Sequence, residues 1–326
     1  MLKDTFGRIH NYLRISLTDN CNLRCFYCMP EEEYSFTPHN RLMQVDEIEQ
    51  LTQLFVMQGI SKIRLTGGEP LVRKDAPAII ERLAQLPVEL HMTSNGIRID
   101  DMLPQLVAAQ FKSINISLDT LRSERFFKIT RRDYFERVRA NIDLLLQHGI
   151  RTKINMVVMK GINEDEILDF VALTKANPLE IRFIEFMPFS GNKWTSNQVY
   201  TQVNILNKIH TVYTTESITA GPHDTAKAFS IAGHAGRIAI ISTMTAPFCA
   251  GCNRIRLTAD GKLKNCLFSA DETDLLTVLR AGGEVLPLIQ ENIRSKSKEL
   301  GGQLATNFEH IDTDFLKNRS MITIGG

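Results

Sequence analysis

The sequence predicts an α/β protein: a partial, open (β/α)6 TIM-like barrel followed by a smaller C-terminal α+β domain. Three observations predict it. Short β-like runs alternate with helical segments through the first two-thirds of the chain, one alternating face of nearly every run is polar, and the pattern changes after Pro188. Consecutive βα units imply a parallel sheet with right-handed crossovers, either doubly wound or curled into a barrel.

Strands are expected at Leu13–Leu17, Lys62–Thr66, Glu89–Thr93, Ser113–Ser117, Thr152–Val157 and Arg182–Met187. Between them Ile48, Leu51 and Phe55 recur at helical spacing, as do Val138, Ile142 and Leu145. Parallel strands covered on both faces normally read as continuous aliphatic runs. Here Arg14 and Ser16 share a side of the first strand, Arg64 and Thr66 of the second, and His91 and Thr93 of the third. Asn115 and Ser117, Lys153 and Asn155, then Glu185 and Met187 continue the series. Ile15, Ile63, Leu65, Ile114, Ile116 and Ile154 fill the opposite faces and would pack on helices. A closed barrel fills with branched aliphatics, so a polar lining with three cations implies a wide, open barrel around a charged ligand. A single solvated sheet face is the alternative.

After Pro188 a loop over Ser190–Thr195 is expected, then a helix near Gln202–Lys208, a turn at Gly221–Asp224 and a strand at Arg237–Ser242. A helical pattern over Thr273–Gln290 is broken by Gly282–Gly283. The domain boundary is expected near residue 190, giving units 1–190 and 191–326.

Of 326 residues, 43% are hydrophobic and 23% charged, and 38 basic against 37 acidic side chains leave a net charge of +1. That balance gives no bulk electrostatic support to nucleic-acid or membrane-surface binding, so an anionic ligand must meet a local cluster of cations. No apolar run reaches the ~18 residues of a membrane span. The first residues lack the apolar core of a secretory signal, which makes a cytoplasmic location the expectation.

The six cysteines form two triplets, Cys21, Cys25, Cys28 and Cys249, Cys252, Cys266. A reducing compartment disfavours disulfides and favours metal ligation. The first triplet, C-x3-C-x2-C, directly follows the first strand, where α/β barrels build their sites. Three thiolates can hold three irons of a cubane and leave the fourth open; structural zinc, which wants four nearby ligands, is the alternative. The second triplet poses the same choice, with His223 or His234 as a fourth zinc ligand. Arg254 and Arg256 stand two apart beside it, on one face of an extended chain, and suit an anionic ligand such as phosphate.

The first triplet with Tyr27 before its last cysteine, and Gly67-Gly68-Glu69-Pro70 after the second strand, resembles the radical S-adenosylmethionine (SAM) enzymes. Phe248 to Phe268, with Tyr12-Leu-Arg14-Ile-Ser, Ser117-Leu-Asp-Thr, Phe186-Met187-Pro188 and the terminal Gly325-Gly326, resembles the GTP 3′,8-cyclase family of molybdenum cofactor biosynthesis over essentially the whole chain. That resemblance implies two [4Fe–4S] clusters, on Cys21, Cys25, Cys28 and on Cys249, Cys252, Cys266, the second carried by the C-terminal domain. It implies SAM contacts from Tyr27, Gly68, Ser117 and Met187, and GTP contacts from Arg14, Arg64, Thr93, Lys153, Arg254, Ile255 and Arg256. Ser94 stands where the family often has a second Thr, so the hydroxyl that meets GTP is left open between Thr93 and Ser94.

The implied activity is that of a lyase. A 5′-deoxyadenosyl radical takes the 3′ hydrogen of GTP, and the C3′ radical attacks guanine C8 to give (8S)-3′,8-cyclo-7,8-dihydroguanosine 5′-triphosphate. Arg14 is the catalytic candidate, positioning a proton. Implied partners are an electron donor such as a flavodoxin or ferredoxin, the next pathway enzyme (cyclic pyranopterin monophosphate synthase) and a second copy of the chain. The competing readings are another radical SAM enzyme with one auxiliary cluster, such as a peptide-modifying maturase, and a zinc-stapled binding module. The Gly325–Gly326 tail would by default fray; the resemblance implies that it enters the active site.

Overall fold

The computed structural model describes residues 1–30, 34–305, 307–313 and 316–325. Six strands alternate with helices as expected: β1 (Tyr12–Ser16), β2 (Lys62–Thr66), β3 (Glu89–Ser94), β4 (Ser113–Ser117), β5 (Thr152–Val158) and β6 (Glu180–Glu185). All six run parallel in the order of the chain.

The C-terminal part then extends both edges of the same sheet. Beyond β6 come β7 (Thr215–Ser217), β8 (Lys227–Ile231) and β9 (Arg237–Ile241), with β9 parallel to β6. Beyond β1 come β10 (Arg254–Leu257), β11 (Lys262–Lys264) and β12 (Thr273–Asp274), with β10 parallel to β1. Among the described residues this makes one twelve-stranded sheet, ordered β12-β11-β10-β1-β2-β3-β4-β5-β6-β9-β8-β7, whose outer strands do not pair with each other. The barrel is open.

The connecting helices cover one face only. In α1 (Val45–Met57), Ile48, Leu51, Thr52 and Phe55 turn inward, and Glu47 accepts from the Gln44 amide at 2.7 Å to satisfy its first turn. α2 (Ala76–Ala84), α3 (Ile99–Ala108), α4 (Ser123–Thr130), α5 (Phe135–Gln147) and α6 (Ile167–Leu173) follow, each burying an apolar stripe. They meet Leu13, Ile15, Ile63, Leu65, Ile114, Ile116 and Ile154, all inaccessible, in one continuous core. Burying each large aliphatic side chain contributes roughly 1.5–3 kcal/mol, so this single face carries the fold and leaves the other face for polar groups.

Two expectations are corrected. The sixth strand begins at Glu180, and Glu180, Arg182 and Ile184 point to the polar interior. Glu185 belongs to the opposite face, where it accepts from the amides of Gln202, Met244 and Thr245 at 2.8–3.0 Å. The helical stretch over Thr273–Gln290 resolves into β12, α8 (Leu276–Arg280) and, after α7 (Gln202–His210) has already packed on the β6 side, α9 (Leu286–Arg294). Gly282 at φ +71° ends α8, and the Gly283 amide returns to the Val278 carbonyl at 2.9 Å, closing the helix.

Candidate active site

The first cysteine triplet sits on the loop after β1, at the carboxyl ends of the strands. The β2 loop packs directly beneath it: the Gly68 amide donates to Thr18 O at 2.7 Å and the Glu69 amide to Asn20 O at 2.8 Å. A Cβ on Gly67 would lie 2.4 Å from Thr18 O, and one on Gly68 2.4 Å from Asn20 O. These glycines are therefore required by the approach of one backbone to another, not only by a ligand. Glu69, fully buried, ties the next strand in by accepting from the Leu71 amide, Ser94 Oγ and the Asn95 amide. Asn95 Nδ2 in turn donates to Asn22 Oδ1 at 2.7 Å and lies 3.8 Å from Cys21 Sγ. Gly68→Ala is expected to push this scaffold off the cysteine loop. Anaerobically reconstituted protein should then lose about half its iron, measured by iron assay.

Burial and then Glu69 raise the Cys21 thiol to about 11; burial holds Cys25 and Cys28 well above their ordinary range, helped by Cys28 and Cys21 at Cys25 and by Cys21 and Asp119 at Cys28. Such thiols become ligands only when a metal's positive charge replaces the proton. Tyr27 lines the same end, its hydroxyl donating to Asp119 Oδ2 at 2.6 Å and its ring edge-on to Phe186. Gly68, Ser117 and Met187 line it too.

Below this end the interior is paved with cations. Pairing register sets Arg256, Arg14, Arg64 and His91 side by side across β10, β1, β2 and β3. Arg64 donates to Tyr12 Oη at 2.6 Å and to Met92 O at 2.5 Å, and lies 3.3 Å from Thr93 Oγ1. Thr93 thus faces the cavity, whereas the Ser94 hydroxyl is spent on Glu69. Burial, then the neighbouring guanidiniums, lower Arg14 to about 10 and hold Arg256 well below its ordinary value. Burial and Arg64 bring His91 to about 3, so it is neutral.

A second set centres on Glu180, which takes Lys153 at 3.0 Å, Arg182 at 2.6 Å, Arg237, and Arg151 at 3.6 Å. Burial opposes the charge on Glu180, but these cations outweigh it and hold the carboxyl well below the ordinary range. Sequence reading found Arg14, Arg64, Thr93 and Lys153 but missed Glu180, Arg182, Arg151 and Arg237. Continuing the alternation two residues upstream of Arg182 was the available signal.

The second triplet lies at the opposite, amino-terminal rim. Cys252 precedes β10, and Cys266 follows β11, which runs back antiparallel to β10 with Arg256 opposite Lys264. Arg254 Nη2 is 3.6 Å and Lys296 Nζ 3.7 Å from Cys252 Sγ. Burial pushes the Cys252 thiol up, but these two cations outweigh it and bring it to about 6. Arg254 and Arg256 line the cavity, while Ile255 between them turns its side chain into the helix-side core. His223 bonds Gly251 O through Nδ1, and His234 bonds Thr174 through Nδ1.

The described part of the carboxyl tail, up to Gly325, is packed and hydrogen-bonded. Arg319 is clamped by Asp260 and Glu272 through four hydrogen bonds of 2.6–2.8 Å. The short turn α10 (Met321–Ile324) packs near Phe189, Phe268 and Leu300. Gly325 is buried at φ +81°, its carbonyl accepting from Arg256 Nη1 at 2.6 Å. Gly326 lies outside the described residues.

One cavity of about 840 Å³ runs from Cys21, Cys25 and Cys28 past the cation rows to Cys249, Cys252 and Cys266, within the roughly 300–1,000 Å³ usual for small-molecule sites. Asn115 Oδ1 and Asn155 Oδ1, buried and without hydrogen-bond partners, belong to residues of its wall. Among the described residues no three His, Cys, Asp or Glu side chains converge as ligands of one ion. Three thiols at each end are a donor set that suits a polynuclear cluster, where each ligates a different iron. The residues present fit both clusters and a polar cofactor.

Comparison with known proteins agrees. Residues 15–174 match the family model for the radical SAM superfamily, and residues 179–301 that for Molybdenum Cofactor Synthesis C. The chain is 46% identical to molybdenum cofactor biosynthesis protein 1 of Drosophila melanogaster, over 91% of this chain and 54% of that protein. It is 44% identical to the mitochondrial GTP 3′,8-cyclase of Arabidopsis thaliana (100% and 84% covered) and 39% to the GTP 3′,8-cyclase of Peptoclostridium acidaminophilum (100% and 98%). It spans about half the length of the animal relatives. Streptococcus suis SuiB bound to S-adenosylmethionine shares the fold, with TM-score 0.61 at 14% identity over 89% of this chain and 69% of that one.

Fold and site thus define a radical SAM protein. Within that superfamily the chain belongs to the GTP 3′,8-cyclase family of molybdenum cofactor biosynthesis, whose members use SAM and two [4Fe–4S] clusters.

Proposed function

We propose that this chain is itself a GTP 3′,8-cyclase, joining C3′ of GTP to guanine C8 in the first step of molybdenum cofactor biosynthesis. The observation that carries the proposal is one continuous chamber with three thiols at each end and guanidiniums between them. Cys21, Cys25 and Cys28 would hold the cluster that binds SAM, and Cys249, Cys252 and Cys266 the second cluster. Bound at the first site, SAM and its cluster supply a carbon radical able to abstract hydrogen.

The chain's own residues do the rest. Tyr27, Gly68, Ser117 and Met187 would seat SAM at the carboxyl mouth. Arg14, Arg64, Thr93, Lys153, Arg254 and Arg256, with the backbone of Ile255, would hold the nucleotide. Its triphosphate carries the negative charge that the cation rows lack, and fixing it would hold the ribose near the first cluster's end. Arg14, in the middle of the row, would position the proton that completes the product.

Residues 1–190 and 191–326 would divide this labour, the first seating SAM and the second closing the chamber with the auxiliary cluster. No helix of the described residues is long and apolar enough to cross a membrane, and we place the protein in the cytoplasm. A flavodoxin- or ferredoxin-type donor would supply electrons, and cyclic pyranopterin monophosphate synthase would take the product. A homodimer would be compatible with these roles.

Anaerobic incubation of reduced, reconstituted protein with SAM and GTP, followed by mass spectrometry, tests the proposal. A product isomeric with GTP is expected; SAM cleavage with GTP unchanged would reject it. A pH effect follows from Lys153. Burial and Arg182 lower it to about 7 despite Glu180. A lysine is charged below its pKa, so the KM for GTP should rise above pH 7, by at most about tenfold per pH unit. Lys153→Arg, charged throughout, should flatten that rise in a steady-state pH profile.

A further inference from the structure

We propose that Lys296 is a positioning residue for the second cysteine triplet: it ties together the segments that present the thiols and makes the cluster they would hold easier to reduce. The inference rests on the reading of Cys249, Cys252 and Cys266 as cluster ligands.

Lys296 lies two residues beyond α9, in a Ser-Lys-Ser-Lys run that reads as an exposed polar loop. It is instead 3% exposed. An ammonium has three donors, and all three have acceptors here. Nζ lies 3.7 Å from Cys252 Sγ, donates to Arg254 O at 3.0 Å, and donates to Asn265 O, the carbonyl just before Cys266. One side chain thus reaches the Cys252 segment, the start of β10 and the Cys266 segment.

The next two residues complete the connection. Ser297 O and Lys298 O accept from Arg8 at 2.8 and 2.7 Å, and Arg8 Nη1 also donates to Cys249 O at 2.9 Å. Arg8 is itself fixed by Asp4 at 2.5 Å. All three cysteine segments therefore converge on residues 296–298.

A neutral amide could serve the two carbonyls. A buried cation is costly unless an anion faces it, and the third donor of Lys296 faces the Cys252 sulfur, an anion once it ligates a metal. Arg254 adds a second cation on the Cys252 sulfur. Positive charge and hydrogen bonds at ligand sulfurs raise cluster potentials, and partners of metal ligands typically contribute 10–100-fold to metal retention.

The experiment compares anaerobically reconstituted full-length protein with Lys296→Met and Lys296→Gln, by iron loss to a chelator and by EPR-monitored titration with titanium(III) citrate. Lys296→Met should lose iron from the second site 10–100-fold faster. Lys296→Gln keeps hydrogen bonding but not charge, so its second cluster should titrate at a more negative potential. The first cluster's signal should stay unchanged in both. Protein that loads only the first cluster supports the tying role. Wild-type iron retention in Lys296→Met together with a wild-type potential in Lys296→Gln overturns the proposal. A Cys252→Ala protein that retains all its iron would instead overturn the ligand reading beneath it.

Discussion

Replacing Arg14 with methionine is expected to stabilise the nucleotide-free protein while costing at least about 100-fold in turnover. Arg14 stands between Arg256 and Arg64 in register, on strands about 5 Å apart. Neighbouring guanidiniums in that row repel one another. Burial and those neighbours push its pKa down, although Tyr12 offsets part of the effect. Methionine fills similar volume without charge, which removes both the repulsion and the cost of burying the guanidinium. The thermal midpoint without nucleotide should rise by a few degrees, while SAM cleavage continues and uncouples from product formation. A lowered midpoint would show that Arg14 supports the fold rather than the ligand.

Gly325→Ala is expected to reduce turnover by about 100-fold while leaving GTP affinity within about threefold. The tail packs against β1 and β2 at Gly325, where an added Cβ would lie 2.9 Å from Ser16 Cβ and 3.1 Å from Thr66 Cγ2. The backbone is also left-handed there, at φ +81°. The terminal turn must back out, and Arg256 then loses the Gly325 carbonyl, an unsatisfied buried donor costing about 1–3 kcal/mol. Because the Arg319 clamp lies upstream, the damage should stay local. Hydrogen exchange should rise over residues 321–325 and not over residues 316–319. Deleting Gly325 and Gly326 should reproduce the loss, and unchanged turnover in both variants would remove the tail from the mechanism.

The barrel was legible because a two-residue period survives in short strands: Arg14 and Ser16, Arg64 and Thr66, or Lys153 and Asn155 declare one polar face. The same period misled at β6. Starting the strand at Arg182 put Glu185 on the inner face, whereas Glu180 opens it and sets Arg182 inward. The cysteines and Gly67-Gly68 were legible from spacing, but not that the glycines serve backbone contact with Thr18 and Asn20. Parallel pairing of β10 with β1 and of β9 with β6 left no local signal, since it joins segments some 240 and 55 residues apart. The same distance hid Lys296 and Arg8, ordinary surface cations in sequence that folding buries against the second triplet.

A single chamber open to metal at both ends should show two distinguishable clusters in ligand-resolved EPR of the reduced, reconstituted protein. About eight irons per chain are expected. SAM alone should perturb only the signal that disappears in Cys25→Ala, and GTP alone only the signal that disappears in Cys252→Ala. Colourless zinc protein, or one signal answering to both ligands, would contradict the account.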